Sequence, residues 1–202
     1  MPLDIVLVLD VSGSMDDPMG SADRTKRIDA LKVAVNSFID GSATVNDQRA
    51  DKNKQNRIAV VKFAGDKTSK VGNDQYRQNL YWYNYTQVVS GYKAYTSGNK
   101  SELKTKVSSL HSAGATAADY AMDLTKTLVD QSKTDANNNA DRKNVKRVVI
   151  FFTDGEPNHQ SGFVDGVAND AITSAKTIKA DADIYTIGIF SGADVSITGH
   201  SG

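Results

Sequence analysis

The chain has 202 residues, 39% hydrophobic and 24% charged, with 24 Lys and Arg balancing 24 Asp and Glu. That length supports a single domain burying roughly 70% of the surface its unfolded form exposes, and the balanced charge excludes the basic footprint of a protein that grips nucleic acid or an anionic bilayer. With no Cys and three His, disulfides, thiolate catalysis and Cys-based metal sites are excluded; no apolar run approaches the ~20 residues that span a bilayer, so a soluble chain without membrane insertion is expected.

Residues 4–10 read D-I-V-L-V-L-D, an apolar run bounded by acids, as in a strand buried on both faces of a parallel sheet. After a Gly/Ser/Asp/Pro-rich loop, Ile28, Leu31, Val35, Phe38 and Ile39 recur at helical spacing and predict a helix over 24–40. Residues 41–57 are polar and read as an extended surface loop. A second buried strand follows at 58–64, then a turn over 65–71. Residues 80–89, dense in aromatic and β-branched side chains, predict one strand antiparallel to 58–64 near a sheet edge.

Leu103, Val107 and Leu110 mark a short helix, and Ala117, Ala121, Leu124 and Leu128 a longer one ending near Ser132. Residues 134–143, with three successive Asn, read as a solvated loop. Then come a strand at 145–153, a helix at 164–178 and a final strand at 184–190. Strands alternating with helices predict an open α/β sheet covered on both faces, with ligands bound beyond the carboxyl ends of the strands.

Three groups fall at those ends: Asp10-Val11-Ser12-Gly13-Ser14, Gly114-Ala115-Thr116 and Thr153-Asp154-Gly155. In a D-x-S-x-S turn, alternate residues aim at one point, so Asp10, Ser12 and Ser14 can converge on a small ion, with Thr116 and Asp154 arriving from neighbouring loops. An all-oxygen donor set suits a hard divalent cation. Mg²⁺ takes about six oxygens and keeps several as water, so an acidic side chain from a partner can replace one.

This set resembles the metal-ion-dependent adhesion site of von Willebrand factor type A domains. Asp10, Ser12 and Ser14 match the family's DxSxS motif, Thr116 its isolated threonine, and Asp154 the Asp of its TDG loop. The resemblance implies a Rossmann-like, mostly parallel sheet with helices on both faces and one antiparallel edge strand. It also implies Mg²⁺, with Mn²⁺ or Ca²⁺ as alternatives, ligated directly by Ser12, Ser14 and Thr116 and through water or directly by Asp10 and Asp154. Two features depart from the family: Ala115 stands where a second Gly is frequent, and residues 191–202 carry no helical stripe where a last strand and covering helix are expected. A single domain over 1–202, either excised from a longer protein or completed by another segment or chain, is the resulting expectation.

The long loops, the Tyr-rich segment, F-F-T-D-G-E-P-N at 151–158 and I-Y-T-I-G-I-F at 184–190 resemble most the domains of Gram-positive cell-surface and pilus-tip adhesins. That implies an extracellular location on the cell wall or pilus and, as partner, an acidic residue of a host or extracellular-matrix protein. An intracellular assembly module of a chelatase or AAA+ complex is the alternative, and a metal-dependent hydrolase a third reading. No Ser/His/Asp arrangement with a supporting motif, P-loop or dinucleotide glycine signature is present, so the chain is not expected to be an enzyme.

Other polar residues near these loops have simpler readings. Asp16 and Asp17 read as solvated acids near the first helix, Glu156 as an exposed turn residue, and His111 as the end of the short helix. His159 has a similarly simple reading, with contact to a ligand, given its closeness in sequence to Asp154, as the lesser one. Tyr81, Trp82, Tyr83 and Tyr85 are first strand residues, and exposed aromatics among them could form a contact surface.

Overall fold

The computed structural model describes residues 1–68, 74–160 and 162–189. Its strands are β1 Leu3–Asp10, β2 Arg57–Phe63, β3 Gln75–Gln78, β4 Tyr81–Asn84, β5 Gln87–Ala94, β6 Lys146–Thr153 and β7 Asp183–Gly188; its helices are α1 Arg27–Asp47, α2 Lys100–Ser108, α3 Ala118–Asn138 and α4 Asp165–Ile178. Five strands form one sheet in the order β5-β2-β1-β6-β7. Only β5 runs antiparallel to its neighbour in it, at the edge beside β2.

The apolar run of β1 explains its central place. Ile5, Leu7 and Leu9 pack on one face with Ile28, Leu31, Val35 and Ile39 of α1 and Leu103 and Val107 of α2. Val6 and Val8 pack on the other with Ala121, Met122 and Leu128 of α3 and Ile178 of α4. Each such Val, Leu, Ile or Met side chain, fully buried, contributes about 1.5–3 kcal/mol. The parallel register sets Asp10 opposite Phe63 and Leu9 opposite Phe152, so the loops leaving β1, β2 and β6 emerge on a common rim. Among the described residues, no helix is long and apolar enough to cross a membrane.

Three local expectations need correction. The expected loop at 41–57 is helical as far as Asp47, because buried Asn46 donates to Asn56 O at 2.9 Å and Tyr95 O at 2.8 Å while accepting from Asn56 N at 2.7 Å. Polar contacts, absent from any apolar stripe, hold those last turns. Likewise α3 continues past Ser132 into the expected 134–143 loop, with Ser132 and Ala136 buried.

The single strand expected at 80–89 is two. Tyr81–Asn84 pairs with Gln75–Gln78 in a separate two-stranded hairpin, whereas Gln87–Ala94 pairs with β2. Between them, buried Thr86 donates from Oγ1 to Gly65 O at 2.7 Å and accepts from Ala64 N at 3.1 Å. Those bonds pin the chain at the exit of β2 and separate the two pairings. The later part of the turn expected at 65–71, Phe190 of the final strand and the 191–202 tail lie outside the described residues.

Candidate metal centre

The exits of β1 and β6 and the loop before α3 bring the sequence-derived residues together. Asp10 ends β1, fully buried, and its carboxylate accepts from Ser12 N at 2.9 Å and Thr153 Oγ1 at 2.7 Å. Ser12 Oγ and Ser14 Oγ lie 3.1 Å apart, and Ser14 Oγ donates to Asp154 Oδ1 at 2.9 Å. Thr116 comes to the same point: a Cβ placed on Gly155 would sit 3.5 Å from both Ser14 Oγ and Thr116 Oγ1. All five residues therefore border one cradle.

Backbone contacts fix the loops that carry them. Gly13 N donates to Gly114 O at 2.9 Å, and Thr116 and Asn158 exchange backbone bonds at 3.1 and 3.0 Å. Gly114 is required in its place, because its φ is +98° and a Cβ there would meet Tyr83 Cδ1 at 2.7 Å. Ala115, at the position of the frequent second Gly, is buried against Tyr76 and Tyr83. Its side chain thus packs away from the cradle.

The two acids are held differently. Burial pushes the Asp10 carboxyl up to about 6, the bonds from Ser12 and Thr153 pull it back, and the charge of Asp154 adds to the rise. A raised carboxylate stabilises the fold fully below its ordinary value and loses that contribution as pH rises through about 6, so ionised Asp10 costs about 3 kcal/mol at neutral pH. A cation between the acids would offset that cost. Asp154, its side chain without exposure, meets Arg27 Nη1 at 2.6 Å. Arg27 is the first residue of α1, where the helix dipole disfavours a cation, and its buried Nε has no partner.

No cluster of three or more His, Asp or Glu suited to a metal forms among the described residues. The donor set is hydroxyls plus two acids, which fits a hard cation that retains water. Other residues considered from sequence lie outside the cradle. Asp16 pairs with Lys26 at 2.8 Å, and Asp17 sits 3.9 Å from Arg27. Glu156 is exposed. His159 Nε2 bonds the Asp119 carboxylate at 2.9 Å, tying its loop to α3, and His111 Nε2 lies 3.2 Å from Asp74.

Tyr81 and Trp82 are exposed while Tyr83 is buried and Tyr85 half-buried. Sequence reasoning missed Arg27 and Asn84. A cation in a helix's first turn was the available signal for Arg27. Asn84, fully buried, donates to Val11 O at 3.0 Å and His111 O at 2.7 Å, bolting the hairpin to the loop that carries Ser12.

Among solved structures, the chain resembles the pilus adhesin SpaC from Lactobacillus rhamnosus GG, with 17% identity, TM-score 0.60, and coverage of 93% of this chain and 24% of that one. It also resembles the PilB minor pilin from Streptococcus sanguinis, with 11% identity, TM-score 0.58 and coverage of 94% and 50%. Proximal thread matrix protein 1 from the mussel byssus shows 19% identity, TM-score 0.53 and coverage of 93% and 38%. These likenesses are of fold, and the chain spans between a quarter and a half of those chains' lengths. No curated protein matches it. The von Willebrand factor type A domain model matches residues 4–198, nearly the whole sequence, and the chain belongs to that family.

Proposed function

We propose that the chain is a metal-dependent adhesion module of a bacterial surface or pilus protein. Ser12, Ser14 and Thr116 hold Mg²⁺ directly, Mn²⁺ and Ca²⁺ being alternatives, while Asp10 and Asp154 hold its waters or switch to direct contact. The ion supplies a Lewis-acidic contact for a carboxylate, the Glu or Asp of a host or matrix protein. The observation that carries this reading is the convergence of the Ser14 and Thr116 hydroxyls on one point beside two acids, one of them destabilised by its own charge.

A surface location draws support from fold neighbours that are a pilus adhesin and a minor pilin. Binding is favoured over turnover because neither acid is a free base: Asp10 is held by Ser12 and Thr153, and Asp154 by Ser14 and Arg27. Calorimetric titration of Mg²⁺ into EDTA-stripped protein should show one saturable site, lost in Asp10→Ala and in Thr116→Ala. Full Mg²⁺ affinity in either variant, or no binding by the folded parent, would refute the assignment.

A further inference from the structure

Beside the metal-centre loops lies a cavity of about 490 Å³ lined by Asn79, Tyr81, Trp82, Tyr83, Gly114 and Gln160, within the size range of small-molecule sites. From its lining we infer that it binds a neutral sugar ring. Among the described residues its lining holds no Asp, Glu, Lys, Arg or His, so a charged ligand would find no counter-ion there. A purely aliphatic ligand would leave the primary amides of Asn79 and Gln160 without partners as water is excluded. A pyranose answers both demands, because its C–H face packs on the electron-rich faces of Tyr81 and Trp82 while its hydroxyls bond amide oxygens and nitrogens.

The groove is preformed. Tyr83, its inner wall, stacks on Tyr76 at 5.5 Å between centroids, and Asn84 anchors the hairpin base as described above. The β3–β4 connection is a two-residue turn with φ of +47° at Asn79 and +72° at Leu80. Asn tolerates that conformation, but Leu pays roughly 1–2 kcal/mol for it. Leu80 is 81% exposed, so no packing within the described chain offsets the strain. A two-residue hairpin turn takes positive φ at both central residues and ordinarily carries Gly at the second; Leu80 in that place instead displays an apolar side chain beside exposed Tyr81 and Trp82, as a contact element does.

Trp82 is the chain's only tryptophan, so its emission reports on this groove alone. The folded protein is titrated with lactose, an N-acetylglucosamine oligomer and a mannose oligomer, in Mg²⁺ and in EDTA, with a Pro-rich peptide and an acidic peptide as competing classes. At least one saccharide should change the emission saturably below about 10 mM, equally in both buffers and in Asp10→Ala. Tyr81→Ala and Gln160→Ala, both at exposed positions, should each weaken it about tenfold with unchanged far-UV circular dichroism. Silence towards all three saccharides, a response to either peptide instead, or a saccharide response that vanishes in EDTA would each overturn the inference. Because the expected signal survives EDTA, its loss and failure of the metal reading are separate results.

Discussion

Asp4 is the second residue of β1, at the end opposite the loops of the candidate metal centre, with its carboxylate fully buried. Arg57 donates to it through Nε at 2.8 Å and Nη2 at 2.6 Å, Arg142 through Nη2 at 2.6 Å and Ser132 through Oγ at 2.6 Å. Asp4→Ala removes four bonds and strands two guanidiniums in places shaped around an anion. Breaking a buried ion pair by deleting one partner costs about 3–5 kcal/mol. Arg57 keeps Asp135 at 2.8 Å and Arg142 keeps the carbonyls of Asn53 and Gln55, which places the loss near the lower figure. The expected fall in Tm is about 10 °C.

Burial alone would raise the Asp4 pKa, but the bonds and charges of Arg57, Ser132 and Arg142 outweigh it and hold the carboxyl below its ordinary value. Its contribution is therefore present above the ordinary carboxylate value and lost as pH falls through the depressed one. Thermal unfolding followed by circular dichroism should show the gap between parent and Asp4→Asn holding constant down to the ordinary carboxylate value of 3.8 and narrowing only below it. Mg²⁺ affinity should not change, since six residues of strand set Asp4 about 20 Å from Asp10. A loss under about 1 kcal/mol, or a gap that widens in acid, would refute this account.

Arg27→Gln removes the cation paired with Asp154, so Mg²⁺ affinity should rise about tenfold by calorimetry while the EDTA-treated protein melts lower; weaker Mg²⁺ binding would show that Arg27 supports the ion. Leu80→Gly relieves the left-handed Leu and should raise Tm by a few degrees, corresponding to about 1–2 kcal/mol. An unchanged or lower Tm would mean that the turn stores no strain.

The five cradle residues were legible because each group is a local pattern of hydroxyls and acids, and alternating strands and helices place all three groups at sheet-end loops. Arg27 was not, because its partner Asp154 lies 127 positions away and nothing in R-I-D-A beyond an unfavourable first-turn charge points to it. The ends of α1 and α3 escaped for a different reason. Asn46 and Ser132 are buried polar residues whose partners come from other elements, and hydrophobic periodicity carries no trace of such bonds. At 80–89, aromatic density announced extended structure correctly but held no register, and the break at Thr86 rests on bonds to Ala64 and Gly65.

Asp4 and Asp10 make the contrast that separates scaffold from site. Both are aspartates of one strand and both are fully buried, so desolvation acts upward on each. At Asp4 two guanidiniums and a hydroxyl overcome it, leaving a satisfied anion with no free direction for a ligand. At Asp10 the donors are neutral, one amide and one hydroxyl, the nearest acid adds repulsion, and the carboxyl rises to about 6. The protein supplies internal cations where the charge only holds β1 in place. Where the loops form a cradle it spends its one nearby guanidinium on Asp154 and leaves Asp10 without one. A buried carboxylate left short of positive charge beside the Ser12 and Ser14 hydroxyls is a standing electrostatic demand, and it is the demand that the proposed divalent cation would meet.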